Sequence, residues 1–101
     1  MTPFPDPSHY LAIGDKHYEM ENYEGAIRSY ENIPSIDTLY IHAIFKMGEA
    51  YRELKDYNKA IQCFEIVLDL DPKDDEAANN LEGLKILARN PKKKRRTVFA
   101  R

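Results

Sequence analysis

Two stretches of this chain are near copies: "GDKHYEMENYEGAIRSYE" at residues 14–31 and "GEAYRELKDYNKAIQCFE" at residues 48–65. An offset of 34 residues aligns them, placing Gly48 on Gly14, Tyr57 on Tyr23, Ala60 on Ala26, Ile61 on Ile27, Phe64 on Tyr30, Glu65 on Glu31 and Val67 on Ile33. Upstream the same offset sets Ile44 on Tyr10, Met47 on Ile13 and Tyr51 on His17. A period of this length marks a supersecondary unit that cannot bury its apolar face alone and stacks on its copy. Side chains that look like reagents when read once have a structural reason to recur.

Within each copy the spacing is helical. Ile44, Met47, Gly48 and Tyr51 keep the i, i+3, i+4, i+7 rhythm of one buried face, as do Ala60, Phe64 and Val67. A glycine inside such a pattern costs about 1 kcal/mol against alanine. The expected compensation at Gly48 is close approach of a neighbouring helix, with Ala60 as the small residue opposite. The break at residues 55–58 separates two helices, and Asp56 is placed to cap the second, as Asn22 is upstream. Pro34 should end its helix early, Asp37 should cap an early start of the next, and Asp74 or Asp75 should cap the last. Five helices are expected, at about 8–21, 24–33, 38–54, 57–70 and 74–89.

These residues resemble the tetratricopeptide repeat, whose signature runs aromatic-x2-Leu-Gly-x2-Tyr, then Ala-x3-Phe, then Pro. The second copy supplies Ile44, Met47, Gly48, Tyr51, Ala60, Phe64 and Pro72; the first supplies Tyr10, Ile13, Gly14, His17, Ala26 and Tyr30. The first departs in two places, with His17 for the tyrosine and Thr38 where the terminal proline belongs. The resemblance implies an all-α fold, an α-solenoid of two helical hairpins: repeat one at about 7–40 and repeat two at about 41–74. A capping helix at about 74–89 follows, its apolar face made by Ala77, Leu81, Leu84 and Ala88. Residues 1–7 form an N-terminal extension to this 8–89 domain, and 90–101 a basic tail expected to be disordered.

Chemistry outside packing finds little support. Cys63 sits beside Phe64 without a neighbouring histidine, which favours a structural thiol, and a lone cysteine excludes an internal disulfide. His9, His17 and His42 have no metal-ligand spacing, and the acidic run from Asp69 carries Pro72 where a calcium loop needs ligands. No catalytic residue, metal or cofactor is expected. Without a span-length apolar run or a signal peptide, the expectation is an intracellular, cytoplasmic protein that does not enter membranes.

Charge is divided unevenly. Residues 1–88 hold 8 Lys or Arg against 17 Asp or Glu, a balance of −9, while residues 89–101 hold seven cations and no acid. The run Lys92, Lys93, Lys94, Arg95 and Arg96 resembles a short nuclear import signal. It equally suits nucleic-acid phosphates, its own acidic body, or a solubilising role, and Val98 and Phe99 beyond it add an apolar anchor.

In tetratricopeptide repeats the first helix of each hairpin lines a concave surface that holds partner peptides. The residues off the packing face are Leu11, Asp15 and Tyr18, then His42, Phe45, Glu49 and Arg52, then Asn79, Gly83 and Ile86. Acids mixed with apolar anchors suit a basic segment carrying one or two hydrophobic side chains; a plain solvated face is the alternative. Family members that grip acidic chaperone C-termini use Lys and Asn at these places, and this chain largely inverts that charge. The expectation is a non-enzymatic adaptor, monomeric or weakly stacked into dimers, in which Phe45 and Glu49 can be replaced together without altering the melting. The alternative is a nucleic-acid-associated or nuclear-imported protein acting through its tail.

Overall fold

The structure, a computed structural model, describes residues 6–89. Both the segment 1–5 and the tail 90–101, with Lys92 to Arg96, lie outside the described residues. Five helices follow one another: α1 (Pro7–Glu19), α2 (Tyr23–Tyr30), α3 (Tyr40–Glu53), α4 (Tyr57–Leu70) and α5 (Asp75–Arg89). Among the described residues there is no strand, and each helix packs chiefly on its neighbour in sequence. The fold is all-helical and repeats.

The two intra-hairpin turns are built alike. Glu21 and Lys55, 34 residues apart, both adopt left-handed backbone at φ 61° and 65°. Around Glu21, the Asn22 amide donates to the His17 carbonyl at 2.8 Å and the Glu21 amide to Tyr18 at 2.9 Å. Around Lys55, Asp56 donates to Tyr51 and Lys55 to Arg52, both at 2.9 Å. This pair of bonds is a Schellman closure of the leaving helix. The residue completing it then caps the entering one, since Asn22 Oδ1 accepts from Gly25 N–H at 3.1 Å and Asp56 Oδ1 from Lys59 N–H at 3.3 Å. One residue therefore satisfies both helix ends, which keeps the hairpin tight.

The core is a ladder of small residues facing large ones. Ala26, Ala43, Ala50, Ala60 and Ala77 are fully buried beside Tyr30, Phe64, Val67 and Leu84. The two glycines are notches for aromatic rings: a methyl on Gly48 would lie 2.8 Å from Phe64 Cε2, and one on Gly14 2.7 Å from Tyr30 Cδ1. Burying a ring this completely contributes about 2–3 kcal/mol, more than the glycine costs its helix. The small partner expected opposite Gly48, Ala60, is buried, but the group closest to the notch is the Phe64 ring.

Helix ends shift by one to three residues from expectation everywhere but in α4 and at the end of α5. α1 begins at Pro7, with Asp6 accepting from Ser8 N–H at 2.9 Å. Proline suits the first helical position because its missing N–H would be unpaired there anyway. α2 stops at Tyr30 because Pro34 has no N–H to return to the Tyr30 carbonyl. Two shorter bonds close it instead, Asn32 N–H to Ser29 and Ile33 N–H to Tyr30, both 3.1 Å, and Ile33 still reaches the core. Asp37 caps only a turn, accepting from Leu39 N–H at 2.8 Å, so α3 begins at Tyr40 and not at 38. Asp74 caps α5 through Ala77 N–H at 3.0 Å. In α5, Ala77 and Leu84 are buried and Leu81 and Ala88 half-buried, the face expected to cover α4.

Candidate functional site

The ten residues expected on the inner face divide into three groups. In α1, Asp15 accepts from the Tyr30 hydroxyl at 2.6 Å, and half-buried Leu11 packs on the core. Tyr18 meets Tyr23 edge-on at 5.1 Å and carries Lys46 Nζ 4.6 Å above its ring. Burial, with Glu49 and Glu53 adding negative charge, pushes the Tyr18 phenol up to about 12. The same burial, followed by the bond to Asp15, drives the Tyr30 phenol well above its ordinary value. Asp15 and Tyr18 are thus engaged by Tyr30, Tyr23 and Lys46, and Leu11 by the core.

The second group lies around α3. His42, Phe45 and Glu49 share a cleft of about 430 Å³ with Ile41 and Lys46, closed on the far side by Asp71, Asp74 and Glu76. Phe45 is half-buried, its ring edge-on to Phe64 at 5.1 Å. It thus forms the cleft floor and a core contact together, and truncating it will cost stability, contrary to the expectation that melting would be unaffected. Glu49 Oε1 lies 3.6 Å from Lys46 Nζ, a half-exposed pair worth less than about 1 kcal/mol. Four carboxylates and one lysine thus ring an apolar floor of Ile41 and Phe45.

Arg52, Asn79, Gly83 and Ile86 do not line this cleft. Arg52 Nη1 donates to Asn80 Oδ1, and Asn80 Nδ2 donates to the Glu76 carbonyl at 3.0 Å. Arg52 therefore ties α3 to the first turn of α5 and holds the cleft's far wall. Asn79, Gly83 and Ile86 are exposed on α5. Sequence reasoning missed Ile41, Lys46, Asp71, Asp74 and Glu76 because it searched helix faces and weighed the acidic run only as a calcium loop or a cap. Its signal was four acids within six residues (Asp71, Asp74, Asp75 and Glu76) at the start of the closing helix.

Cys63 and His17 serve packing. The Cys63 thiol is buried, and burial with nearby Glu31 pushes it up to about 11, so it stays protonated and unreactive near neutral pH. Asn22 Nδ2 lies 3.1 Å from His17 Nδ1, so the imidazole supports the residue that caps α2. In the second hairpin Tyr51 takes that place, with Lys59 Nζ 5.7 Å from its ring centroid.

The family model of the tetratricopeptide repeat matches residues 43–74. That segment is a tetratricopeptide repeat. No curated protein matches it. The matched segment contains the Gly48 notch and its Phe64 ring, the α3–α4 turn, and Asp71 and Asp74 of the cleft. Tetratricopeptide repeats generally mediate protein–protein interaction and typically act as non-enzymatic scaffolds. Among the described residues no helix is long and apolar enough to cross a membrane.

Two further depressions lie elsewhere on the helices. One of about 310 Å³ runs along the outer side of α1, past Ala12, Ile13, Lys16 and Met20. Another, of about 260 Å³, sits between the α3–α4 turn and Leu87 and Ala88. Neither contains a residue expected on the inner face.

Proposed function

We propose that the protein is a non-enzymatic adaptor that holds a partner segment in the cleft between α3 and the start of α5, and that the segment is basic with one or two apolar side chains. The observation that carries this is the composition of the cleft: Ile41 and Phe45 at its floor, and Glu49, Asp71, Asp74 and Glu76 against the single cation Lys46. An apolar floor takes a hydrophobic side chain by burial, while the acidic rim draws in cations and repels an acidic peptide. The rim charges act on encounter rate and choice of partner, and the floor acts on dwell time.

The test uses the immobilised full chain and two matched synthetic peptides, each with a central Phe, one flanked by Lys and Arg and the other by Asp and Glu. The basic peptide is expected to bind and the acidic one not. Reversing Glu49→Lys and Glu76→Lys together should weaken the basic peptide by tenfold or more and leave the helical circular dichroism signal unchanged. Equal binding of both peptides, or a basic peptide indifferent to the reversal, would overturn the assignment.

A further inference from the structure

The partner chemistry that this cleft fits is written in the chain's own tail. Residues 92–96 are five consecutive cations, and Val98 and Phe99 follow within three positions. The body they belong to carries 8 Lys or Arg against 17 Asp or Glu up to residue 88. Of the four cleft acids, Glu49 has Lys46 as a partner and Asp74 is used by the α5 cap. The Asp71 carboxylate is exposed and accepts from Lys73 N–H of its own turn at a long 3.4 Å, and the Glu76 side chain is exposed on the rim. The cleft is left with more acid than its one lysine balances.

Geometry allows a return. α5 spans 15 residues from Asp75 to Arg89, and at 1.5 Å per residue its last turn lies roughly 20 Å from the rim residue Glu76. Residues 90–99 can extend roughly 33 Å, enough to bring Arg95 and Arg96 level with Glu76 and the apolar pair beyond it to the floor. A tether this short presents the tail at millimolar effective concentration, so even weak attraction fills the cleft for much of the time.

From this match we infer that residues 92–99 of the same chain occupy the α3–α5 cleft, cations on the acidic rim and Val98 or Phe99 on Ile41 and Phe45. The tail then competes with any partner, and the adaptor is held partly closed until that partner, or an anion that takes the cations, displaces it. The inference rests on the reading of the cleft given above and adds its regulation. Because the rim attraction is screened over about 8 Å at physiological salt, raising the salt loosens the closure.

The experiment titrates a fluorescent synthetic peptide of residues 90–101 against three full-length chains, followed by anisotropy. These are the wild type, a variant with Lys92, Lys93, Lys94, Arg95 and Arg96 all changed to Gln, and a Val98→Ser/Phe99→Ser variant that keeps every charge. With the built-in competitor weakened, the peptide should bind the Gln variant about tenfold more tightly than the wild type. The serine variant should gain in the same direction, and adding Glu49→Lys with Glu76→Lys should abolish binding to either. Equal affinity for all three chains would overturn self-occupation and leave the cleft reading intact. A gain in the Gln variant alone reports bulk charge and overturns it too. A difference that grows with protein concentration assigns the tail to a second copy and overturns closure within one chain. Failure of every chain to bind would overturn both the closure and the basic-apolar assignment of the cleft.

Discussion

The two hairpins share a turn and a notch, yet they leave their inner faces in different states. In the first, Tyr30 fills the Gly14 notch and its hydroxyl reaches Asp15 at 2.6 Å. In the second, Phe64 fills the Gly48 notch, and Glu49, the counterpart of Asp15, has no phenol to meet; it borders the cleft instead. A single hydroxyl separates a carboxylate used for folding from one available to a partner. The junctions differ as well. Pro34 cuts α2 to 8 residues where α4 has 14, so residues 31–39 wander before α3, while residues 71–74 turn directly into α5 and bring three acids over α3. Repetition fixes packing; divergence at a few positions decides where the surface is left open.

The largest expected effect comes from emptying a notch. Phe64→Ala should cost about 3–5 kcal/mol, a large part of the roughly 5–15 kcal/mol that holds a small domain together. Urea midpoints would show this, and Tyr30→Ala should be comparably severe if the notches are equivalent. Exchanging the hydroxyl is subtler. Tyr30→Phe removes the bond to Asp15 and should cost about 1–2 kcal/mol. Phe64→Tyr should leave stability within about 1 kcal/mol while drawing Glu49 from the cleft and weakening a basic peptide several-fold. If Phe64→Tyr bound normally, the contrast between the hairpins would lose its cause.

Alkaline titration gives a smaller and graded effect. The folded thiol of Cys63 is raised from 9.0 to about 11, and the Tyr18 phenol from 10.0 to about 12. Above pH 9 the unfolded chain therefore releases protons that the folded chain retains. Stability is full below that point and falls as pH rises towards 11 and 12. Thermal melts from pH 8 to 11 should show the decline, and Cys63→Ala should remove its early part. Smallest of all, Glu21→Gly and Lys55→Gly should each stabilise the chain by about 0.5–1 kcal/mol, because both side chains are held in left-handed backbone. Unequal gains would mean that the two turns are less alike than their hydrogen bonds indicate.

Much of the fold was legible because packing repeats. The helix faces, the caps at Asn22 and Asp56, and the covering face of α5 all follow from periodicity and from donors that need partners. The terminus of α2 was misjudged by three residues because the bond that Pro34 cannot make belongs to Tyr30, a turn upstream. The left-handed Glu21 and Lys55 were invisible because neither is the glycine or asparagine that usually marks such a position. The inner-face residues were named from the family resemblance and helix positions, and spacing could not reveal which of them are engaged in packing. Asp15 and Tyr18 were spent on contacts 15 and 5 residues away in sequence, with Tyr30 and Tyr23. The cleft's acidic wall was missed because it comes from a connecting loop and the first turn of α5.

The central claim is that a partner meets the chain at the α3–α5 cleft and not along the first hairpin. Amide chemical shifts of the labelled full chain, followed while the Phe-centred basic peptide is added, test it most directly. The expected result is saturable movement at Ile41, Phe45, Glu49, Asp74 and Glu76, with Ala12, Ile13 and Met20 on the outer side of α1 unmoved. Movement centred on those α1 residues, with the cleft silent, would contradict the account.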